Sequence, residues 1–276
     1  MTISRRAAVR LGSVLAATAG SAELGAGAWA RGVDAVLNRP GVVPETAQRL
    51  QALLIHPDEA TDGLRYATIS LRSNDTAWAA YDSLDDDAYR GLAGKLSARG
   101  YRLRRLSTFQ TKGGLRHSAV WQLASGPHWE ARHTMTLAQF EKTSGDFASR
   151  GYRIAHIDGT ATLSGPRYAA VWERGEAGGW QSFAALTGPE YMDKRAALAA
   201  LGFQPRHISG YSDGGRSYFA ATFEKSSAPY EAHHQMTDAL FREKYRTKPE
   251  DGYRLTDVSA HLLNGNPVYS GVWEKA

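Results

Sequence analysis

The hydrophobic and polar positions of the chain alternate in some stretches and follow a helical period in others. In residues 165–173, GPRYAAVWE, a Tyr-x-x-x-Trp spacing places both aromatic side chains on one face, which is typical of a half-buried strand. Residues 136–151, TLAQFEKTSGDFASRG, instead predict a helix, with Thr136 as its N-cap and Gln139 as the capping-box partner. The glycine at the end of this segment predicts a left-handed residue just after the helix.

The pattern recurs along the chain with a period of about fifty residues. The glycines that follow the predicted helices, at intervals of 51, 51 and 50 residues, are Gly100, Gly151, Gly202 and Gly252. The aromatic residues that close each copy keep the same intervals and are Trp121, Trp172, Phe223 and Trp273. Columns of matching spacing predict a tandem repeat, in which each copy is one supersecondary unit.

Each unit is predicted to contain one helix and three strands. A strand such as YRIAHID follows the glycine, the alternating strand comes next, and a third strand begins near Trp180. Short connections between these segments indicate antiparallel hairpins. The predicted fold class is therefore α+β, with four tandem repeats of about 51 residues, each a helix with a small three-stranded antiparallel sheet.

The predicted repeat domain covers residues 63–276, and its two ends fall in the middle of a unit. Two arrangements are open. One is a propeller-like ring, in which the strand around 269–273 pairs with the strand near 78–81, and the other is an open arc. An unpaired edge strand invites aggregation, which favours the ring. Residues 31–62 predict a linker and a capping helix, the latter within residues 44–56.

The first thirty residues differ in composition from the rest. Arg5 and Arg6 precede an Ala/Gly-rich apolar run, and Ala28-Trp29-Ala30 supplies a signal-peptidase pattern. Residues 1–30 therefore predict an export signal, which resembles the twin-arginine type. The alternative, an amphipathic helix of the fold, fits less well because the run is poorly periodic. We expect a secreted protein, or one retained in the periplasm or cell envelope.

Composition narrows the classes of partner. The net charge is +5, or +3 without the predicted signal, and Lys and Arg form no block, so nucleic-acid binding is not expected. The chain contains no cysteine, which excludes disulfides and thiolate ligands. The apolar run is too short and glycine-rich for a stable membrane span after signal cleavage. We expect a monomer.

The GYR triplet, the strand RYAAVW and the segment WEARHTMT at 129–136 together resemble a known family. They are similar to the bacterial tandem repeats of the polyglycine hydrolase N-terminal region, over about residues 63–276. The third unit departs most, with GFQ in place of GYR. In that family, peptide cleavage belongs to a separate serine β-lactamase-like domain with an S-x-x-K motif. This sequence has no S-x-x-K, H-E-x-x-H or P-loop, so the resemblance implies an accessory or binding module.

Histidines are the main candidates for a binding role. His133 and His234 occupy one column, two units apart, and each follows a glutamate by three residues, Glu130 and Glu231 respectively. In one interpretation these polar side chains converge from different units on a ligand. In the other, each His forms a hydrogen bond with a backbone group where the next helix begins.

Three further histidines stand at informative positions. His156 and His207 share a column with Arg105 and Asp257. If the array closes, the four side chains can form a polar centre; otherwise they face solvent or pair across neighbouring units. His117 stands where the other units have Tyr or Phe, a departure that can mark a site or reflect drift.

The predicted function is that of a secreted recognition or accessory module, which binds a peptide, a protein or a cell-surface polymer. Its contact surface is expected in the variable connections, such as DGTATLSGP. The alternative is a secreted hydrolytic enzyme that uses His and Glu residues at the repeat centre. No metal or other cofactor is predicted, because zinc needs three or four ligands within bonding distance and the sequence does not place His133 beside His234.

Overall fold

The computed structural model describes residues 8–13, 48–55, 65–72, 78–111, 113–175 and 177–275. The helices within these residues are α1 (Asp86–Ala98), α2 (Leu137–Ala148), α3 (Gly188–Ala199) and α4 (Asp238–Thr247), with one 3-10 turn at Ala177–Gly179. The strands of the four repeats are β4 (Trp78–Leu84), β5 (Tyr101–Thr111), β6 (Gly114–Leu123), β7 (Trp129–Met135), β8 (Tyr152–Thr160), β9 (Arg167–Arg174), β10 (Trp180–Thr187), β11 (Phe203–Asp213), β12 (Arg216–Lys225), β13 (Tyr230–Thr237), β14 (Tyr253–Leu263) and β15 (Asn266–Lys275).

Each repeat consists of a strand, a helix and two further strands, in that order. In the second repeat, β7 and β8 are the outer strands of the sheet and β9 lies between them. Because β9 is antiparallel to both, β7 and β8 run in the same direction, and such strands need a long crossover, here α2. The prediction of four helices, each with a small three-stranded antiparallel sheet, is confirmed.

The predicted phase of the unit is wrong. The third strand of each sheet precedes its helix instead of following the hairpin, so the strand at Trp180 pairs with β12 in the third repeat. The sheet orders of the four repeats are β4-β6-β5, β7-β9-β8, β10-β12-β11 and β13-β15-β14. The fourth repeat is therefore a complete unit, with β15 as the central strand of its sheet.

The helix boundaries follow the predicted capping signals. Thr136 Oγ1 accepts the Gln139 N–H at 3.3 Å, and Gln139 Oε1 accepts the Thr136 N–H at 2.9 Å. Thr187 and Glu190 form the same capping box at α3. The four recurring glycines have φ between 76 and 81°, the left-handed conformation that ends the helices.

The hydrophobic cores are shared between neighbouring repeats. On one face of β9, Trp172 packs under α2, with its ring centroid 5.0 Å from that of Phe147. On the opposite face, Val171 belongs to the core of the first repeat, which surrounds Trp121. Both faces of one sheet are thus buried, and the repeats stack through their sheets.

An N-terminal sheet precedes the repeats. It contains β1 (Ala8–Ser13), β2 (Gln48–Ile55) and β3 (Arg65–Arg72), in the same β1-β3-β2 order as the repeat sheets. The predicted capping helix is wrong, because residues 48–55 form β2, which pairs with β3 along its whole length. A short apolar run does not by itself separate a strand from a helix. Apart from β1, the predicted export signal of residues 1–30 lies outside the described residues.

The predicted pairing between the two ends of the repeat domain is also wrong. Residues 269–273 belong to β15, which among the described strands pairs with β13 and β14 of its own sheet, and β4 pairs with β6. The two ends are connected in another way. Strand β14 of the last repeat lies against β2 and β3, and β2 lies against β5 and β6 of the first repeat.

Candidate functional site

Four side chains, one from each repeat, meet at the centre of the array. We call them the hub: Arg105, His156, His207 and Asp257. Each follows a β-bulge that interrupts the pairing between the last two strands of its sheet. A bulge redirects the side chains beside it. The sequence left two outcomes open for these four equivalent positions. In the structure their side chains come together and form a polar centre.

Arg105 links all the other members of the hub. Its Nη1 lies 3.2 Å from His156 Nδ1 and 2.6 Å from His207 Nδ1, and its Nη2 lies 2.9 Å from Asp257 Oδ1. Because the Arg105 guanidinium only donates, His156 Nδ1 accepts, and its Nε2–H donates to the Leu106 carbonyl at 3.0 Å. Burial lowers the pKa of His156 well below its ordinary value, and His207 and Arg105 lower it further.

The hub side chains also satisfy backbone groups of the preceding repeat. His207 Nε2 lies 2.8 Å from the Ile157 carbonyl, and the Ile208 N–H donates to Asp257 Oδ2 at 3.0 Å. Burial would raise the pKa of Asp257, but the neighbouring His207 and Arg105 lower it overall. His156 and His207 are each 1% exposed, so these two candidate ligand residues lie in a structural joint that solvent does not reach.

A second group of buried polar residues lies beside the hub. It was not predicted from the sequence. Asp158 accepts the Thr108 N–H at 3.0 Å and the Ser209 hydroxyl at 2.9 Å. Burial raises the pKa of this carboxyl from 3.8 to about 7, against the lowering effect of both hydrogen bonds. Its signal in the sequence is a column two residues after the hub, where the other three repeats have Ser.

The junction between the first and second repeats brings together Asp86, His117 and His133. His133 Nε2 lies 3.4 Å from Asp86 Oδ1, and His117 Nε2 lies 3.8 Å from the same oxygen. The two imidazole centroids are 4.6 Å apart. One ligand atom from each residue lies within 4.8 Å of the other two, close enough to hold a metal ion. We call these three residues the junction cluster.

Both histidines of the junction cluster are shifted towards the neutral form. Burial, followed by the neighbouring His133, lowers the pKa of His117 from 6.5 to about 4, against an opposing effect of Asp86. Burial likewise lowers the pKa of His133, again opposed by Asp86. His117 Nδ1 lies 3.1 Å from Thr108 Oγ1, whereas His133 Nδ1 is buried without a hydrogen-bond partner among the described residues.

The position of His133 depends on a bulge in β7. Arg132 pairs with Ala170 and Met135 with Tyr168, so two residues of β7 stand opposite one residue of β9. The second bulge residue, Thr134, has φ 56°, which is unusual for a β-branched side chain. The third and fourth repeats have the same conformation at Ala185 and Gln235, so the bulge belongs to the repeat and not to one site.

A cleft of about 740 Å³ opens beside the junction cluster, between α1 and residues 126–134. Its walls include the candidate residues Glu130 and His133, together with Trp129. Arg132 Nη1 lies 3.1 Å from Glu130 Oε2 on the same wall. Strand β7, which forms this wall, is an outer strand of its sheet.

The remaining candidates, Glu231 and His234, lie elsewhere. His234 packs against Tyr191 and Phe219 of the third repeat, with centroid distances of 4.9 and 5.2 Å. Burial, with Arg195, lowers its pKa to about 4. Glu231 binds Lys248 Nζ at 2.7 Å. His133 and His234 therefore serve separate junctions and do not converge on one ligand.

No accessible hydroxyl nucleophile is paired with a histidine in these candidate sites. Thr108, the partner of His117, is 4% exposed. The letters G-x-S-x-G do occur once, at residues 210–214, GYSDG. That motif is a nucleophile elbow when it turns from a strand into a helix, and here it runs from β11 into a hairpin.

A comparison with protein families gives a match over four consecutive segments. The model of the polyglycine hydrolase-like structural repeat matches residues 75–123, 126–175, 177–226 and 227–276. The chain belongs to this repeat family. The polyglycine hydrolase-like repeats begin and end where the structural units do, each with its helix between the first and second strands. Within the described part of the chain, the helices are all too short or too polar to cross a membrane.

Proposed function

We propose that this chain is an exported recognition module that binds an extended peptide in the cleft between the first and second repeats. The observation that carries the proposal is the outer strand β7, whose residues 129–134 form one wall of the cleft. A peptide can add to the edge of such a strand as a further strand. On β7 the Ala131 carbonyl accepts Arg132 Nη1 at 2.7 Å, so an added peptide would take the place of this contact. The opposite wall, α1, is polar and exposed at Arg90.

The family description supports a glycine-rich peptide as the ligand. The repeat is described as polyglycine hydrolase-like, and the name of that enzyme gives polyglycine as its substrate. A glycine chain has no side chains, and its recognition must therefore use its backbone groups. The cleft supplies backbone partners along β7, the Arg132 guanidinium as a donor and the Trp129 ring as a flat apolar surface.

The proposal is tested by calorimetric titration with an oligoglycine peptide and with a matched peptide in which alternate residues are sarcosine. N-methylation removes alternate backbone donors and leaves length and charge unchanged, so we expect the sarcosine peptide to bind far more weakly. The substitution Arg132→Ala should weaken oligoglycine binding, whereas Trp180→Ala, in the column of Trp129 at the next junction, should not. Equal affinity for the two peptides, or no binding of either, would contradict the proposal.

A further inference from the structure

The junction cluster has the composition and spacing of a metal site. We propose that Asp86, His117 and His133 bind one divalent transition-metal ion, Zn²⁺ by preference, with a fourth coordination position open towards the cleft. This inference is independent of the proposed peptide function, because it concerns the binding of the ion alone.

The distances fit a single ion after small side-chain rotations. Tetrahedral zinc bonded at about 2.0–2.1 Å separates neighbouring ligand atoms by about 3.3 Å. Asp86 Oδ1 lies 3.4 Å from His133 Nε2 and 3.8 Å from His117 Nε2. Imidazole and carboxylate donors together suit zinc and its neighbours in the first transition row.

Two further contacts orient the ligands as metal sites require. His117 Nδ1 lies beside Thr108 Oγ1, and a hydrogen bond from this nitrogen leaves the Nε2 lone pair free to face Asp86. Arg90 Nη2 lies 2.8 Å from Asp86 Oδ2, which fixes the carboxylate with Oδ1 towards the histidines.

The other junctions of the same array lack this set of donors. The residues equivalent to Asp86, His117 and His133 are Leu137, Tyr168 and Ala184 at the next junction, and Gly188, Phe219 and His234 at the one after that. The repeat fold therefore does not require three ligands at this place. The first junction alone of these three combines a carboxylate with two imidazoles, and it does so beside the cleft.

The test uses the full chain without a polyhistidine tag, freed of metal with EDTA. Zinc is titrated in competition with a chromophoric chelator, and Co²⁺ serves as a spectroscopic probe of tetrahedral coordination. The variants are His133→Ala and Asp86→Asn, and the matched control is His234→Ala, which removes the imidazole from the same column where no carboxylate accompanies it. Circular dichroism checks that each variant is folded.

We expect the wild-type chain and the His234→Ala control to bind one zinc ion per chain. Loss of an outer-shell partner typically weakens metal binding about 10- to 100-fold, so loss of a ligand in His133→Ala or Asp86→Asn should weaken it by more than that. The visible cobalt absorption should disappear in the same two variants. If His133→Ala fails to fold, the half-exposed Asp86→Asn carries the test. Zinc affinity that is absent in the wild type, or unchanged in folded Asp86→Asn, overturns the proposal.

Discussion

Asp158 is a carboxyl group that folding moves from water to the centre of the array. Two donors hold it there, the Thr108 N–H and the Ser209 hydroxyl, and no cation forms an ion pair with it within the described residues. Its pKa is about 7 in the folded chain, whereas 3.8 is the ordinary value for an aspartate in water and is taken for the unfolded chain. Between these two values the folded chain binds a proton that the unfolded chain has released, so the free energy of unfolding falls as the pH rises.

The substitution Asp158→Asn should therefore flatten the pH dependence of stability. We expect the wild type to lose more free energy of unfolding than the variant between pH 5 and pH 8. The difference should not exceed about 3 kcal/mol, since the extra bound proton is lost near pH 7, about two pH units above pH 5, and each unit is equivalent to about 1.4 kcal/mol. Urea unfolding at several pH values measures it. The lowered pKa of His156 makes the free energy of unfolding rise with pH instead. Because His156 is present in both proteins, its contribution cancels in the comparison. Parallel curves would show that Asp158 does not titrate in this window.

The sequence predicted which residues occupy equivalent positions in the repeats, but not which of these positions are in contact in the folded chain. Alignment of the repeats grouped His156 with His207 and marked His117 as a departure, and both observations led to clusters in the structure. It missed Asp86, because an Asp in the run Asp85–Asp87 at a predicted helix start is already explained by capping. Contacts between repeats depend on the angle at which neighbouring units pack. That angle cannot be inferred from the pattern of a single sequence.

The segment around α2 contains two glycines with opposite roles. Gly145 lies within the helix, and a Cβ there would meet no atom within 4 Å. Gly151 follows the helix at φ 76°, and the space around it is equally open. Space does not distinguish the two positions, so their backbone conformations decide the effect of an added methyl group.

Alanine at these two positions should shift stability in opposite directions. Gly145→Ala should raise the free energy of unfolding by about 1 kcal/mol, because alanine loses less backbone entropy in a helix. Gly151→Ala should lower it by about 1–2 kcal/mol, the cost of a left-handed conformation for a residue with a Cβ. Thermal and urea unfolding of both variants measure the effects. The same sign for both would refute this account of the glycine column.

Helices and turns that depend on interactions between nearby residues could be predicted from the sequence. The pairing of strands that are distant along the chain could not. The capping residues Thr136 and Thr187 and the recurring glycines fixed the helices because their interactions span only a few residues. The phase of the sheets was wrong because strands on either side of a hairpin look alike in sequence. Which outer strand completes a sheet depends on the helical crossover that brings it there.

At the scale of the whole molecule, the N-terminal sheet lies between the first and last repeats. Strand β2 lies against β5, and β14 lies against β2 and β3. The prediction of a capping helix in this region was wrong because the apolar segment was interpreted without β3, the strand with which it pairs. The contacts mean that strands at both ends of the repeat array are covered by one sheet from the start of the chain.

Removal of residues 1–72 should therefore loosen the two ends of the array and not its middle. We expect faster amide hydrogen exchange in β5 and β14, which lose a neighbour. Exchange in β8 should be unchanged, because this strand lies between β5 and β11 and keeps both. Exchange measured by mass spectrometry on the truncated and full chains separates these strands. Unchanged protection of β5 and β14 would mean that the N-terminal sheet does not cover them.

The hub also determines how the number of repeats can change. Its four positions hold Arg, His, His and Asp, and the cation of the first repeat meets the anion of the fourth. An array with identical residues at this position could gain or lose a copy without a mismatch. Here deletion or duplication of the first or the fourth unit would leave a buried charge without its counterion, which proteins tolerate poorly. The first and fourth units therefore have fixed places in the array, whereas the two middle units, which both supply His, are interchangeable at this position.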